Sequence, residues 1–254
     1  MYSIERKSQI ISLLEKNGKV DVADLSDRLG ASKETIRRDL HELETEGAVC
    51  RTHGGAVPSS MMSGTGEYPV SVRGIKQYSE KRALCKKAAS FIEDGDIIFI
   101  DNSSTCRDLP SFIDKDIHVT ILTNSINLIV EASKYKAENH TFVCLGGVVN
   151  FSNMSIHGTM ALANSEQYYP SRVFISCAGI TGGIIVDGST NEVDTKKLMI
   201  SHGNEIYVLA DHTKWGHGGQ VFVSELLNID TIITDKPASD AGTLLPESIR
   251  VVTA

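Results

Sequence analysis

Apolar residues recur at helical spacing through the first part of the chain and then give way to short strand-like runs. Between Ser3 and Asn17, Ile10, Ile11, Leu13 and Leu14 fall on one side of a helix that Gly18 stops with a left-handed residue. Asp21 is a good N-cap with Asp24 in the first turn behind it, and Val22, Leu25 and Leu29 follow at i, i+3 and i+7. Gly30 ends that second helix, predicted over 22–29. Ser32 caps a third, in which Ile36, Leu40 and Leu43 lie at i, i+4 and i+7 before Gly47. The run AVCRTHGGAV that follows mixes strand formers with glycines and predicts a two-stranded hairpin. Helix, helix, tight turn, helix, hairpin is the pattern of a winged helix-turn-helix.

Residues 57–71, VPSSMMSGTGEYPVS, are rich in Ser, Gly, Pro and Met, the composition of a hinge. Beyond them the period changes. A helix is expected over 79–91, with Leu84, Ala88 and Phe91 on one side. Strands are expected at DIIFI (96–100), HVTIL (118–122), FVCLGG (142–147), VFISCAG (173–179), EIYVLA (205–210) and TIIT (231–234). Helical stretches such as 126–134 and 192–202 lie between them. Near-continuous apolar strands alternating with helices imply an α/β domain with a mainly parallel sheet covered on both faces. The expected division is 1–57 for the winged helix-turn-helix, 58–78 for the linker and 79–254 for the α/β domain.

Composition adds limits. At 254 residues, 41% apolar and 22% charged, the chain has material for two globular domains. It holds no apolar run of about 18 residues, and MYSIERKSQI lacks a signal-peptide core, so a cytoplasmic protein without membrane contact is expected. The five cysteines are too far apart for a CxxC motif and odd in number, and Cys144 and Cys177, in apolar runs, are expected as small buried residues. Net charge is −7, of which residues 1–57 carry −1, from nine Lys and Arg against ten Asp and Glu. Binding to DNA therefore requires a local basic face rather than a basic protein.

The third helix offers such a face. Opposite its apolar stripe stand Lys33, Thr35, Arg37 and Arg38, with Ser32 at its start. A helix fits the major groove of B-DNA with its N-terminal residues at base edges, and neighbouring arginines point about 100° apart, one towards a base and one towards a phosphate. The helix start adds backbone amides for a further phosphate. Arg51 and His53 belong to the wing, beside the DNA backbone. The string SKETIRRDLHELE followed by RTHGGAV resembles the N-terminal signature of DeoR-type bacterial transcriptional repressors, carried by Ser32, Thr35, Ile36, Arg37, Arg38, Asp39, Leu40, Arg51, His53, Gly54, Gly55 and Ala56. Asp39, acidic on a basic helix, is expected to orient Arg38 or a wing arginine through a salt bridge.

In parallel sheets ligands sit beyond the carboxyl ends of the strands. The loops there read Asp101, Asn102, Ser103, Ser104 and Thr105; Thr123, Asn124 and Ser125; Gly146 and Gly147; Gly179 and its neighbours; and Asp211 through Gly216. Hydroxyls, small residues and amides opening helices suit a phosphate. Lys196 and Lys214 supply positive charge, and Asp101, Asn124 and Glu192 accept from sugar hydroxyls. The resemblance extends here through Glu80-Lys81-Arg82, Asp-Gly-Asp before the first strand, Thr-Asn-Ser, Gly-Gly, Glu192-x-x-x-Lys196 and Asp-His-Thr-Lys-Trp-Gly. It implies an effector domain similar in fold to ribose-5-phosphate isomerase and coenzyme A transferases, and a repressor of carbohydrate-metabolism genes governed by a phosphorylated sugar. Ser103, where many members have Gly, and Asp194, where several carry a basic residue, depart from the pattern, and Pro110 falls early in the helix expected after the first loop.

An isomerase would place Glu192 or Asp101 beside Lys196, but a DNA-binding head makes ligand sensing a sufficient role, and no catalytic residue is assigned. His212, His217 and Asp211 lack a third close ligand, so neither a metal nor a cofactor is expected. The expected partners are double-stranded operator DNA, a phosphorylated sugar, and further copies in a homodimer or homotetramer, because one head reads only a few base pairs. Activation in place of repression depends on where the operator lies.

Overall fold

The structure, a computed structural model, describes residues 2–59, 70–135, 137–188, 190–236 and 245–254, the side chains of residues 191 and 192 excepted. Two compact units divide the chain, Met1–Ser79 and Glu80–Ala254.

In the first unit, α1 (Ser3–Asn17), α2 (Val22–Leu29) and α3 (Lys33–Thr45) stand where the apolar spacing puts them. Their caps follow the sequence. Gly18 and Gly30 are left-handed, Asp21 accepts from Ala23 N, and the Ser32 hydroxyl accepts from Thr35 N. The wing has three strands where two are predicted. β1 (Val20–Asp21) pairs with β3 (Gly55–Pro58), which also pairs with β2 (Val49–Thr52). The approach is so close that a Cβ on Gly55 would lie 1.9 Å from the Val20 carbonyl oxygen, which explains the glycine. A further helix, α4 (Val70–Ile75), stands inside the stretch expected to be linker. Val72 and Ile75 join Ile10, Leu14, Leu25, Ile36, Leu40 and Leu43 in one core, and Lys76 Nζ meets Glu15 Oε1 at 2.5 Å. Pro58 and Tyr78, the ends of the expected linker, belong to β3 and to the next helix, and its residues 60–69 lie outside the described residues.

The second unit is built on seven parallel strands in the order β15-β14-β12-β9-β4-β5-β6. These are β4 (Ile97–Ile100), β5 (Val119–Thr123), β6 (His140–Cys144), β9 (Arg172–Ile175), β12 (Glu205–Leu209), β14 (Thr231–Thr234) and β15 (Arg250–Thr253). Alternate residues go to opposite faces. Phe99, Val173, Ile175, Val208 and Ile232 pack on one side with Val193 and Met199 of α8 (Thr190–His202). Ile98, Ile100, Phe174, Leu209 and Ile233 pack on the other with Leu84, Cys85 and Ala88 of α5 (Tyr78–Ala89). Burial on both faces is why these strands read as unbroken apolar runs. The chain order reverses between β4 and β9, so the carboxyl ends of these two strands open onto the switch point of the sheet.

Several expectations change. The run 173–179 divides after Ile175; its end enters β10 (Gly179–Thr181) of a separate antiparallel sheet with β11 (Ile184–Asp187) and β13 (Val221–Glu225). β6 is an edge strand, so Cys144 is exposed rather than buried, whereas Cys177 is buried as expected. After β6 come a hairpin, β7 (Val148–Asn150) with β8 (Ser155–His157), and α7 (Thr159–Ser165), none of them predicted. The helix α6 (Ile126–Ala132) follows β5 as expected. Where a helix was expected after β4 there are turns and one 3-10 turn, Leu109–Phe112, with Pro110 at its start; proline lacks the amide a longer helix needs. Among the described residues, no helix is long and apolar enough to cross a membrane.

Candidate functional site

The charge of α3 becomes intelligible once its acidic residues are traced. Asp39 is fully buried and pairs with Arg6 of α1, not with Arg38 or a wing arginine. It lies on the same side as Ile36, Leu40 and Leu43, so it faces α1 and cannot reach the exposed basic face. Glu42 is held at 2.7 Å by Lys7, which also reaches Glu46. Glu44 accepts from Arg51 twice, at the backbone N (3.1 Å) and at Nε (2.7 Å), and these bonds keep its carboxyl below its ordinary pKa. Three of the helix's four acids are thus held by basic partners. The fourth, Glu34, is exposed beside Arg37 at 3.5 Å, a solvated contact of little energy.

Lys33, Arg37 and Arg38 consequently stand exposed on one side of α3, with His41 a turn further on. Arg51 and His53 are exposed on the wing. Ser32 and Thr35 are used internally, since their hydroxyls meet at 2.9 Å and Ser32 caps the helix. They fix where the helix begins. His41 escaped the sequence reading because histidine at a single helical position carries no pattern of its own.

In the second unit the predicted loops gather at the carboxyl ends of the strands but differ in what they present. Asp101 and Lys196, expected to face a ligand from two sides, satisfy one another at 3.0 Å. Asp101 also accepts from Ser103 N and Ser176 N, and Lys196 donates to Ser176 O and to Asp187. Burial alone would lower the Lys196 pKa; Asp187 and Asp101 more than reverse it, so the ammonium stays charged above its ordinary value. Thr123 donates to Ile100 O and accepts from Ser125 N, and Ser125 caps α6 through Leu128 N. Ser103 accepts from Cys106 N, and Thr105 is buried with its carbonyl facing the Cys85 thiol. Gly147 has φ +126° with His157 O 2.7 Å from where a Cβ would be, and Gly179 lies closer still to His217 O, at 2.0 Å, so both glycines admit backbone first of all; Gly146 beside Gly147 is also left-handed. The side chain of Glu192 lies outside the described residues.

At the carboxyl ends of the strands, four buried side-chain atoms have no hydrogen-bond partner among the described residues: Asn102 Oδ1, Asn124 Oδ1, Ser176 Oγ and Asp211 Oδ2. They follow β4, β5, β9 and β12, four strands adjacent in the sheet. Native proteins seldom leave such groups unpaired, because each costs about 1–3 kcal/mol. The other atoms of these groups are engaged, Asn102 Nδ2 with Asn153 O, Asn124 Nδ2 with Ile156 O, and Asp211 Oδ1 with Thr213.

Two cations reach the loops that carry this row. Lys81, on α5, is buried and donates to Ser104 Oγ at 3.0 Å. Sequence reasoning noted the Glu-Lys-Arg string but had no means to bring it to a loop more than twenty residues away. Lys214, half-buried on the loop after β12, makes no ion pair among the described residues and is among the charges acting on Cys177. His212, next to Asp211, is tied to Asp235 through its backbone N and Nδ1, both at 2.6 Å. Among the described residues no three His, Cys, Asp or Glu side chains converge for a metal.

Comparison with known proteins supplies the context. Residues 6–61 match the DeoR-like helix-turn-helix domain, and residues 76–236 match the DeoR C terminal sensor domain. The chain is 32% identical over 253 residues to an uncharacterized HTH-type transcriptional regulator, YulB, of Bacillus subtilis, covering 99% of this chain and 96% of that one. It is 29% identical to the lactose phosphotransferase system repressor of Staphylococcus aureus, covering 98% of each. Among solved structures, ribose 5-phosphate isomerase A of Methanocaldococcus jannaschii aligns over 55% of each chain at 19% identity, with a TM-score of 0.40.

Proposed function

The chain belongs to the DeoR family of DNA-binding transcriptional regulators, and from that premise we propose that it is a cytoplasmic repressor of carbohydrate-metabolism genes whose operator grip is loosened by a phosphorylated sugar. The row of four unpaired polar atoms, with Lys81 and Lys214 on the loops that carry it, supports this reading. Three of the atoms accept only, and the Ser176 hydroxyl both donates and accepts. A molecule with several hydroxyl groups complements such a row. Ammonium groups beside serine hydroxyls suit its phosphate ester.

In this reading the recognition helix α3 enters the major groove with Arg37 and Arg38 foremost, Lys33 and the helix start take a phosphate, and Arg51 and His53 of the wing follow the backbone. Ser32 and Thr35 set the helix register. In the effector domain Asn102, Asn124, Ser176 and Asp211 take hydroxyls, while Ser103, Ser104, Lys81 and Lys214 serve the phosphate. Asp101, Lys196, Thr105, Thr123, Ser125, Gly146, Gly147 and Gly179 hold the loops in place. A two-fold dimer, or a tetramer made of two, sets two heads on half-sites about one helical turn or a multiple apart. The effector acts as inducer by binding better to the arrangement that does not fit the operator.

A thermal-shift screen of phosphorylated sugars tests the sensor. A ligand at 100 times its Kd stabilises by about 2.7 kcal/mol, and its unphosphorylated parent has a much smaller effect. No shift with any pentose or hexose phosphate at millimolar concentration would remove the sensor reading. A gel-shift titration in which the active compound tightens the operator complex would reverse the sign of regulation.

A further inference from the structure

We propose that Glu34 is a base-reading residue of the recognition helix, and that it takes the amino group of a cytosine in the major groove. The direction in which its side chain leaves the helix is what points to this. Ile36, Asp39, Leu40 and Leu43 are the buried residues of α3. At about 100° per residue they occupy one side of the helix, and the positions diametrically opposite are 34, 41 and 45, with 37 and 38 to either side of them. The side chain of Glu34 is 86% exposed, against 59% for Arg37 and 64% for His41. It also stands in the first turn, and a helix docked in the groove brings its N-terminal residues to the base edges. With the apolar stripe of α3 turned back to the core, the side chain aimed at the floor of the groove is thus an acid, set between two arginines.

The other acids of the helix make this placement selective. Asp39 is turned to Arg6, Glu42 to Lys7 and Glu44 to Arg51. Glu34 keeps its carboxylate on the outer face, where its one ion pair among the described residues is the 3.5 Å contact with Arg37. Phosphates repel a carboxylate, so this group adds nothing to the sequence-independent grip. It accepts hydrogen bonds and cannot donate. In the major groove guanine N7 and O6 and thymine O4 likewise only accept, and the donors are the amino groups of cytosine and adenine. Adenine sets a second acceptor, N7, beside its amino group, whereas cytosine shows only the donor. Cytosine is therefore preferred, adenine comes second, and guanine or thymine leaves a charged acceptor facing an acceptor.

An acid in the first turn also meets the positive end of the helix dipole. That role is indifferent to the base opposite, so a change of base preference separates it from readout. The assignment of Glu34 rests on the groove-facing α3 of the proposed function, and the comparison of wild type with variants tells the failure of one from the failure of the other.

The test is a selection from DNA duplexes randomised over about two helical turns, followed by affinities for the selected site and its single-base variants. The full chain is used, as wild type, Glu34→Ala and Glu34→Gln. The wild type is expected to select a cytosine at one position of each half-site, and to bind about five- to a hundredfold more weakly when guanine or thymine replaces it. In Glu34→Ala that preference is expected to disappear, while affinity for unrelated DNA holds or rises. Glu34→Gln, which carries a donor beside its acceptor, is expected to exchange the cytosine for adenine. It also keeps the length of the side chain, should the alanine fray the helix. A wild type that selects a site whose every base preference both variants retain would overturn the proposal and leave the groove-facing α3 standing. A wild type that selects no sequence would remove both.

Discussion

Arg6, in the second turn of α1, closes a bidentate ion pair on Asp39, in the middle of the recognition helix, Nε to Oδ2 at 2.5 Å and Nη2 to Oδ1 at 3.0 Å. Both side chains are almost wholly buried. Breaking such a pair from one side leaves an uncompensated charge and is expected to destabilise by about 3–5 kcal/mol, whereas replacing both partners by apolar residues of similar size is near neutral. Asp39→Ala is therefore expected to lower the unfolding midpoint of the head sharply, and Arg6→Met with Asp39→Leu to restore most of it. Urea titration followed by circular dichroism decides, and an unaltered transition in Asp39→Ala would show that the pair contributes nothing.

Arg37→Ala and Arg38→Ala are each expected to weaken operator binding by about 1–3 kcal/mol where the arginine reads a base, with relaxed preference at that base pair. Lys33→Ala is expected to weaken all sequences alike and to reduce the salt dependence by about one phosphate contact. Affinities measured across a salt series on operator and scrambled DNA separate the two behaviours. Unchanged affinity in both arginine variants is incompatible with a groove-facing α3.

Ser176 supplies a test with opposite signs. Its hydroxyl is buried without a partner, so Ser176→Ala is expected to raise the stability of the free protein by about 1 kcal/mol. The same change is expected to diminish stabilisation by the effector. Lys81→Met and Lys214→Ala are expected to spare operator binding while reducing effector affinity by about 1.5–3 kcal/mol, the worth of a charged hydrogen bond. Calorimetry with the sugar phosphate identified in the screen gives the affinities; a wild-type affinity in both lysine variants relocates the phosphate.

Alkaline pH is expected to destabilise the second unit from a specific set of groups. Burial pushes the Cys177 thiol up to about 12, and burial likewise raises Cys85 and Cys106. An unfolded thiol ionises near 9.0 while the folded one keeps its proton, so above that pH the unfolded state binds fewer protons and stability falls. The slope is about 1.4 kcal/mol per pH unit for each thiol. Lys196 adds in the same direction, since its raised folded pKa makes its contribution complete below 10.5 and lost as pH rises through the folded value. Unfolding midpoints from pH 7 to 11 are expected to decline less steeply in Cys177→Ala, and a parallel decline would contradict the assignment.

Local signals were legible and distant ones were not. Ser32, Asp21, Gly18 and Gly30 announce helix ends because capping is a matter of adjacent residues. The central strands declare themselves because burial on both faces makes them apolar throughout. β1 is only two residues long, and β15 is an exposed edge that reads as RVVT after unpatterned sequence. The Asp39–Arg6 pair spans 33 positions and the Lys81–Ser104 contact 23, distances over which no periodicity carries information. Cys144 misled because its apolar neighbours suggest an interior strand, whereas position within a sheet depends on strand order.

The loop after β12 has one more property. Gly216 N donates to Ile180 O at 2.9 Å, the Trp215 indole donates to Thr234 Oγ1 at 3.3 Å, and the Trp215 ring packs against the core of the second unit, so an aromatic reporter sits next to Lys214. Trp215 is also the protein's single tryptophan. The molecule therefore carries its own optical probe: any change in the solvent around this one indole registers in its emission, with no label and no second tryptophan to mask it.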